Sequence, residues 1–89
     1  MNSLFSFFQS NNWVQDEYNS PNGYDIVEAL HQLYNFKSSL EEAVKFVEHH
    51  SRVQAACYEE FSMYDITRVN DKKLRDKDHL LQFLEKYNL

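Results

Sequence analysis

The side chains best suited to chemistry in this chain are one thiol and four imidazoles: Cys57, and His31, His49, His50 and His79. A metal site built from them would use short ligand separations such as Cys-x-x-Cys or His-x-x-x-His, and neither occurs. His50 and Cys57 are seven residues apart and so share one face of a helix. A nucleophilic cysteine, however, is activated at a helix N-terminus or beside cations in a cleft. In the middle of a helix, on its packing face, it behaves as a small apolar side chain. The carboxylate pairs Asp16-Glu17, Glu41-Glu42 and Glu59-Glu60 are sequence neighbours, which point apart on a helix instead of converging as a general acid and base. A single glycine excludes a glycine-rich phosphate loop, and Gly-x-Ser-x-Gly is absent. The expectation is a protein that is not an enzyme, with no metal, no cofactor and no small-molecule substrate.

Binding is the better-supported class. The net charge is −5, unevenly spread: residues 1–66 hold ten acids and three bases, whereas residues 67–89 hold four acids and six bases. An acidic front part suits a basic partner or a head-to-tail self-contact; the plainer account is solubility. Three clusters set carboxylates beside tyrosines: Asp16-Glu17-Tyr18, Tyr58-Glu59-Glu60 and Tyr64-Asp65. Carboxylates steer an encounter and tyrosines anchor it at low entropic cost. These eight residues are the candidate partner-binding set, in the manner of an inhibitor or immunity-type protein masking a basic surface on an enzyme or nucleic-acid-binding protein. The alternative is a homodimeric structural, adaptor or regulatory protein closed by surplus aromatics, since 14 of 89 residues are Phe, Tyr or Trp. A tyrosine can equally cover a core with its ring and leave its hydroxyl wet. Nucleic acid is not expected, because Asp71, Asp76 and Asp78 interrupt the basic run Arg68, Lys72, Lys73, Arg75, Lys77. His50 and Gln54 lie one turn apart on an otherwise apolar face, where they are either bonded internally or part of a pH-sensitive contact.

These side chains need elements to hold them. Gly23 and Pro21 are the only residues of their types, which disfavours turn-rich β architectures. From Ser39 to Tyr64, a step of 100° per residue gathers Leu40, Ala43, Val44, Phe46, Val47, His50, Val53, Gln54, Cys57, Tyr58, Phe61 and Tyr64 on one face. Glu41, Glu42, Lys45, Glu48, His49, Arg52, Glu59 and Glu60 fall opposite. The spacing predicts one long amphipathic helix over 39–64, with Ser51-Arg-Val-Gln54 marking a place where it can kink. Asp25-x-x-Glu28 is a capping box for a helix running to Phe36. Ser38 and Ser39 form a corner and offer caps to the long helix. Asp76 or Asp78 starts a last helix that buries Leu80, Leu81, Phe83, Leu84 and Tyr87 and turns His79 outward. Ile66-Thr-Arg-Val69 is β-branched and reads as a short extended piece, followed by a charged connector.

The N-terminal segment is ambiguous. Leu4, Phe5, Phe7 and Phe8 suit a helix capped by Ser3 or Asn2, and Asn12-Trp-Val-Gln15 resembles a second capping box. The rival is a hairpin turning at Ser10-Asn-Asn12. The whole is expected to be one all-α domain, 1–89: a small bundle of three to four helices around the long one. No stretch has the ~20 apolar residues of a membrane span. The N-terminus lacks a basic start and a long apolar run, and a lone cysteine fits a reducing compartment, so the expected location is cytoplasmic.

Overall fold

The structure, a computed structural model, is described for residues 3–89 and is all-α. Its helices are α1 (Leu4–Ser10), α2 (Ile26–Leu33), α3 (Leu40–Phe61), α4 (Ile66–Arg68), which runs directly into a π-turn (Val69–Lys73), and α5 (Lys77–Lys86). Their starts are set by side-chain caps. Ser3, Asp25, Ser39, Asp65 and Asp76 each accept a bond from the backbone N–H three residues on. At Asp25 the box is reciprocal, because the Glu28 side chain returns to the Asp25 N–H. At Ser39 it is not: Glu42 Oε1 instead accepts from Asn35 N and ties the α2–α3 corner to the helix start. Asn2, the other cap considered for α1, lies outside the described residues.

α3 is one continuous helix with no break near His49–Ser51. It ends at Phe61, three residues before the expected Tyr64, because Ser62 adopts a left-handed φ of 56° and its N–H returns to Tyr58 O. α2 also stops early, at Leu33. Tyr34 turns extended and sends its ring into the core, 6% exposed, to reach His49.

The core is shared by all the elements: Leu4 and Phe8 of α1, Ile26, Ala29 and Leu30 of α2, Val53, Ala56 and Cys57 of α3, Ile66 and Val69, and Leu80, Phe83 and Leu84 of α5. Burying each large apolar side chain contributes about 1.5–3 kcal/mol relative to exposure. The inward face of α3 is not the expected one. Leu40, Val44, Val47 and Tyr58 are exposed, Leu40 at 81% and Val47 at 59%, while His49 is buried. The apolar set of α3 is really two stripes. One, through Phe46, Val53, Cys57 and Phe61, packs inward; the other, through Leu40, Val44, Val47 and Tyr58, points away. His49 joins the inner stripe because both ring nitrogens find partners there, Tyr34 OH at 2.8 Å and the Leu89 main-chain oxygen at 2.9 Å. The carbonyl can only accept, so Nε2 carries the proton and Nδ1 accepts from the tyrosine hydroxyl.

Two further expectations are corrected. Ile66–Val69 is helical, not extended, because Asp65 caps it and Ile66 and Val69, three residues apart, are buried together. Asn12–Gln15 does not open a helix. Trp13 pairs with Tyr24 in an isolated parallel bridge, with Val14 N bonded to Tyr24 O and Tyr24 N to Asn12 O, both at 3.0 Å. Gly23 permits this crossing, since a Cβ there would sit 2.7 Å from Asn12 O. No hairpin forms at Ser10–Asn12 either. None of the described helices is long and apolar enough to cross a membrane.

Candidate protein-binding cleft

The cleft is built on Asn70, an asparagine with no exposure, held in the π-turn. The wide turn is closed by Leu74 N bonding to Val69 O five residues back, at 3.1 Å. It directs the Asn70 carboxamide inward, where Oδ1 accepts from Trp13 Nε1 at 2.6 Å and from Ile26 N at 3.1 Å. Nδ2 donates to Val14 O at 3.0 Å and to Asp71 Oδ1 at 2.8 Å. One side chain thus joins the N-terminal arm, the start of α2 and the π-turn. Gln15 Nε2 adds bonds to Asn70 O and Leu74 O at 3.0 and 2.7 Å.

Beyond Gln15 the chain must turn back over α2. It does so through left-handed residues, Asp16 at φ 57° and Asn19 at φ 52°, and asparagine and aspartate tolerate that region better than most. Carboxylates fasten the loop. Asp71 Oδ1 accepts from Asp16 N at 2.9 Å, Glu28 Oε2 from Asn19 N at 2.8 Å, and Glu17 Oε1 from Ser20 Oγ at 2.6 Å. The result is a depression of about 660 Å³ whose lining includes Asp16, Glu17, Tyr18, Tyr24, Asp25, Glu28, His31 and Asp71. Five carboxylates meet in it. The ion pair formed there is Lys72 with Asp16 at 3.1 Å, on exposed side chains, so it is screened by water. Burial pushes the Asp25 carboxyl above its ordinary value, and the neighbouring Glu28 and Asp71 charges add to that; its bond from the Glu28 N–H opposes them.

The eight sequence-predicted residues fall into three places. Asp16, Glu17 and Tyr18 line the cleft, with the Tyr18 ring almost wholly exposed. Tyr64 and Asp65 line a shallower depression of about 380 Å³ with Val27, His50, Gln54 and Thr67, and Val27 and Thr67 border the cleft as well. Tyr58 stacks on Tyr64, centroids 4.4 Å apart and planes 12° from parallel. Glu59 and Glu60 lie elsewhere. Glu59 faces the side bounded by Arg52, Tyr87 and Leu89. Glu60 accepts from Lys86 Nζ at 2.8 Å and Tyr87 OH at 2.7 Å, bonds that hold its carboxyl below the ordinary range. Sequence reading missed Asp25, Glu28 and Asp71 as cleft residues. The first two were legible as a helix cap, and nothing local says that the cap faces a cleft.

Of the aromatics, only Tyr18, Tyr58 and Tyr64 are exposed; the phenylalanines and the tryptophan are at least partly covered. Cys57 is buried, and desolvation pushes its thiol up to about 12, with the Asp65 charge adding to it, so thiolate is negligible near neutral pH. Among the described residues, no three His, Cys, Asp or Glu side chains are grouped to hold a metal ion. No protein-family model, no curated protein and no solved structure matches the chain.

Proposed function

We propose that this protein is a non-catalytic binding module whose acidic cleft receives a basic surface of a protein partner, as an inhibitor or immunity-type protein would. The observation that carries the reading is the convergence of Asp16, Glu17, Asp25, Glu28 and Asp71 on one concave site bordered by Tyr18 and Tyr24. Most of these carboxylates already accept backbone or hydroxyl bonds, so their positions are set before a partner arrives. A carboxylate accepts more than one donor, and a guanidinium fork can join the bonds already present. Tyr18 supplies an exposed ring at the rim, where arginine stacking is favourable.

An arginine-rich peptide titrated by fluorescence anisotropy tests the proposal. Binding should weaken steeply between low salt and about 0.5 M, where the Debye length falls to a few ångströms. The double variant Asp16→Asn with Glu17→Gln should weaken it several-fold at low salt while leaving the fold intact by circular dichroism. No binding at low salt, or binding indifferent to both salt and the variant, refutes the reading.

A further inference from the structure

The outward stripe of α3 has no covering element among the described residues, yet it is patterned. Leu40, Val44, Val47, Ser51, Gln54 and Tyr58 recur at alternating steps of four and three, the spacing of a seam between two helices. Leu40, Val44, Val47 and Tyr58, with Tyr64 stacked on Tyr58, are five of the six large apolar or aromatic side chains exposed among the described residues. One flank of this ridge carries charges of alternating sign: Glu41, Lys45, Glu48 and Arg52.

We infer that this ridge pairs with the same ridge of a second copy, the two α3 helices running antiparallel about a two-fold axis between Phe46 and Val47. The charges select this register. In an antiparallel pair the same flank of each helix faces its counterpart, and residues equidistant from the axis come level. Glu41 then meets Arg52 of the other copy, and Lys45 meets Glu48. Both pairs share that one midpoint, and by symmetry each forms twice. The same axis interleaves the apolar knobs. Val47 comes level with the gap between Val44 and Val47 of the other copy. Val44 enters between Val47 and Ser51, and Leu40 between Ser51 and Gln54. The partners the flank now has are compatible with this. Lys45 bridges Glu41 within the helix at 3.2 Å on exposed side chains, and Arg52 uses one nitrogen on Asn88 O at 3.3 Å. A parallel pair would set this flank against the opposite flank of the other helix, where Phe46, His50 and Val53 offer these charges no counterpart.

The overlap runs from Leu40 to Val53, about four turns of each helix, with Tyr58 and Tyr64 beyond its end, so the seam is small and the dimer weak, with Kd on the order of tens to hundreds of micromolar. The ridge shares no residue with the acidic cleft, so this inference is independent of the proposed function.

Sedimentation equilibrium from about 10 µM to 1 mM reads it, with circular dichroism confirming that each variant folds. The wild type should shift from monomer to dimer over that range. Val47→Asp, which sets two carboxylates beside the axis, should remain monomeric throughout. Lys45→Glu turns two attractive pairs into repulsive ones and should raise Kd about tenfold. Lys45→Glu combined with Glu48→Lys restores opposite signs only in this register and should return Kd to within about threefold of wild type. A wild type monomeric at 1 mM, a dimer that survives Val47→Asp, or a double variant as weak as Lys45→Glu alone overturns the inference.

Discussion

Replacing Asn70 with alanine is the most searching test of how the fold holds its cleft. The substitution removes four side-chain hydrogen bonds and leaves three groups in or near the interior without them: Trp13 Nε1, Ile26 N–H and Val14 C=O. Asp71, the fourth partner, is nearer the surface and still holds Asp16 N. Each buried group left unpaired costs about 1–3 kcal/mol, and water entering the vacated space offsets part of that, so the expected loss is about 3–5 kcal/mol. A chain of 89 residues has only about 4–13 kcal/mol of stability in total. Asn70→Ala should therefore lower the urea midpoint by about 3–5 M at an m-value near 1 kcal/mol/M, or leave the protein unfolded.

Trp13→Phe supplies the control. It removes one donor to Oδ1, which still accepts from Ile26 N, so about 1 kcal/mol should be lost. The double variant should lose about 1 kcal/mol less than the sum, because phenylalanine leaves no indole N–H to strand. A midpoint shift for Asn70→Ala below that of Trp13→Phe, or strict additivity of the two, would refute the account of Asn70 as the joint between the arm, α2 and the π-turn.

Three other outcomes are expected at single sites. Burial holds the His49 pKa below its ordinary 6.5, so the unfolded chain takes up this proton at a higher pH than the folded one. The His49 contribution is whole above pH 6.5 and is lost as pH falls through the folded-state pKa; urea melts should show that slope in the wild type and its loss in His49→Gln. Cys57→Ser buries a hydroxyl in place of a thiol among apolar neighbours and should cost about 1–3 kcal/mol, while in the wild type a thiol reagent should react only as fast as the protein opens. Gly23→Ala drives a methyl into the Asn12 carbonyl, at 2.7 Å, and should lower stability by about 1–3 kcal/mol, read as a lower melting temperature.

The parts of the fold that could be read from the sequence are those fixed by local chemistry. The Asp25 and Ser39 caps and the leucine and phenylalanine spacing of α5 are written within one or two turns, and they are found where expected. The parts that could not be read depend on distant partners. Nothing near His49 says that Tyr34 and Leu89 will accept its ring, so a histidine expected outside lies inside while Val47, expected inside, lies outside. A broad apolar helix face does not say which of its two stripes meets the rest of the chain. The cleft was half legible: Asp16, Glu17 and Tyr18 stood out by type, whereas Asp71 and Asn70 looked like part of a solvated connector. Their roles arise through partners 55 to 57 positions away in the sequence.

The π-turn has a consequence for how this chain tolerates length changes. Such a turn accommodates one residue more than the α-helical turn it interrupts. Deleting any one of Asp71, Lys72 or Lys73 would let the helical winding close regularly, an apparent local gain. Yet the wide turn already absorbs that residue, so the deletion would leave the rotation of the chain beyond it little changed and would remove only the bulge itself. The bulge is what aims the Asn70 carboxamide inward and brings the Asn70 and Leu74 carbonyls together on Gln15 Nε2, so a shorter, more regular helix here would belong to a less stable protein.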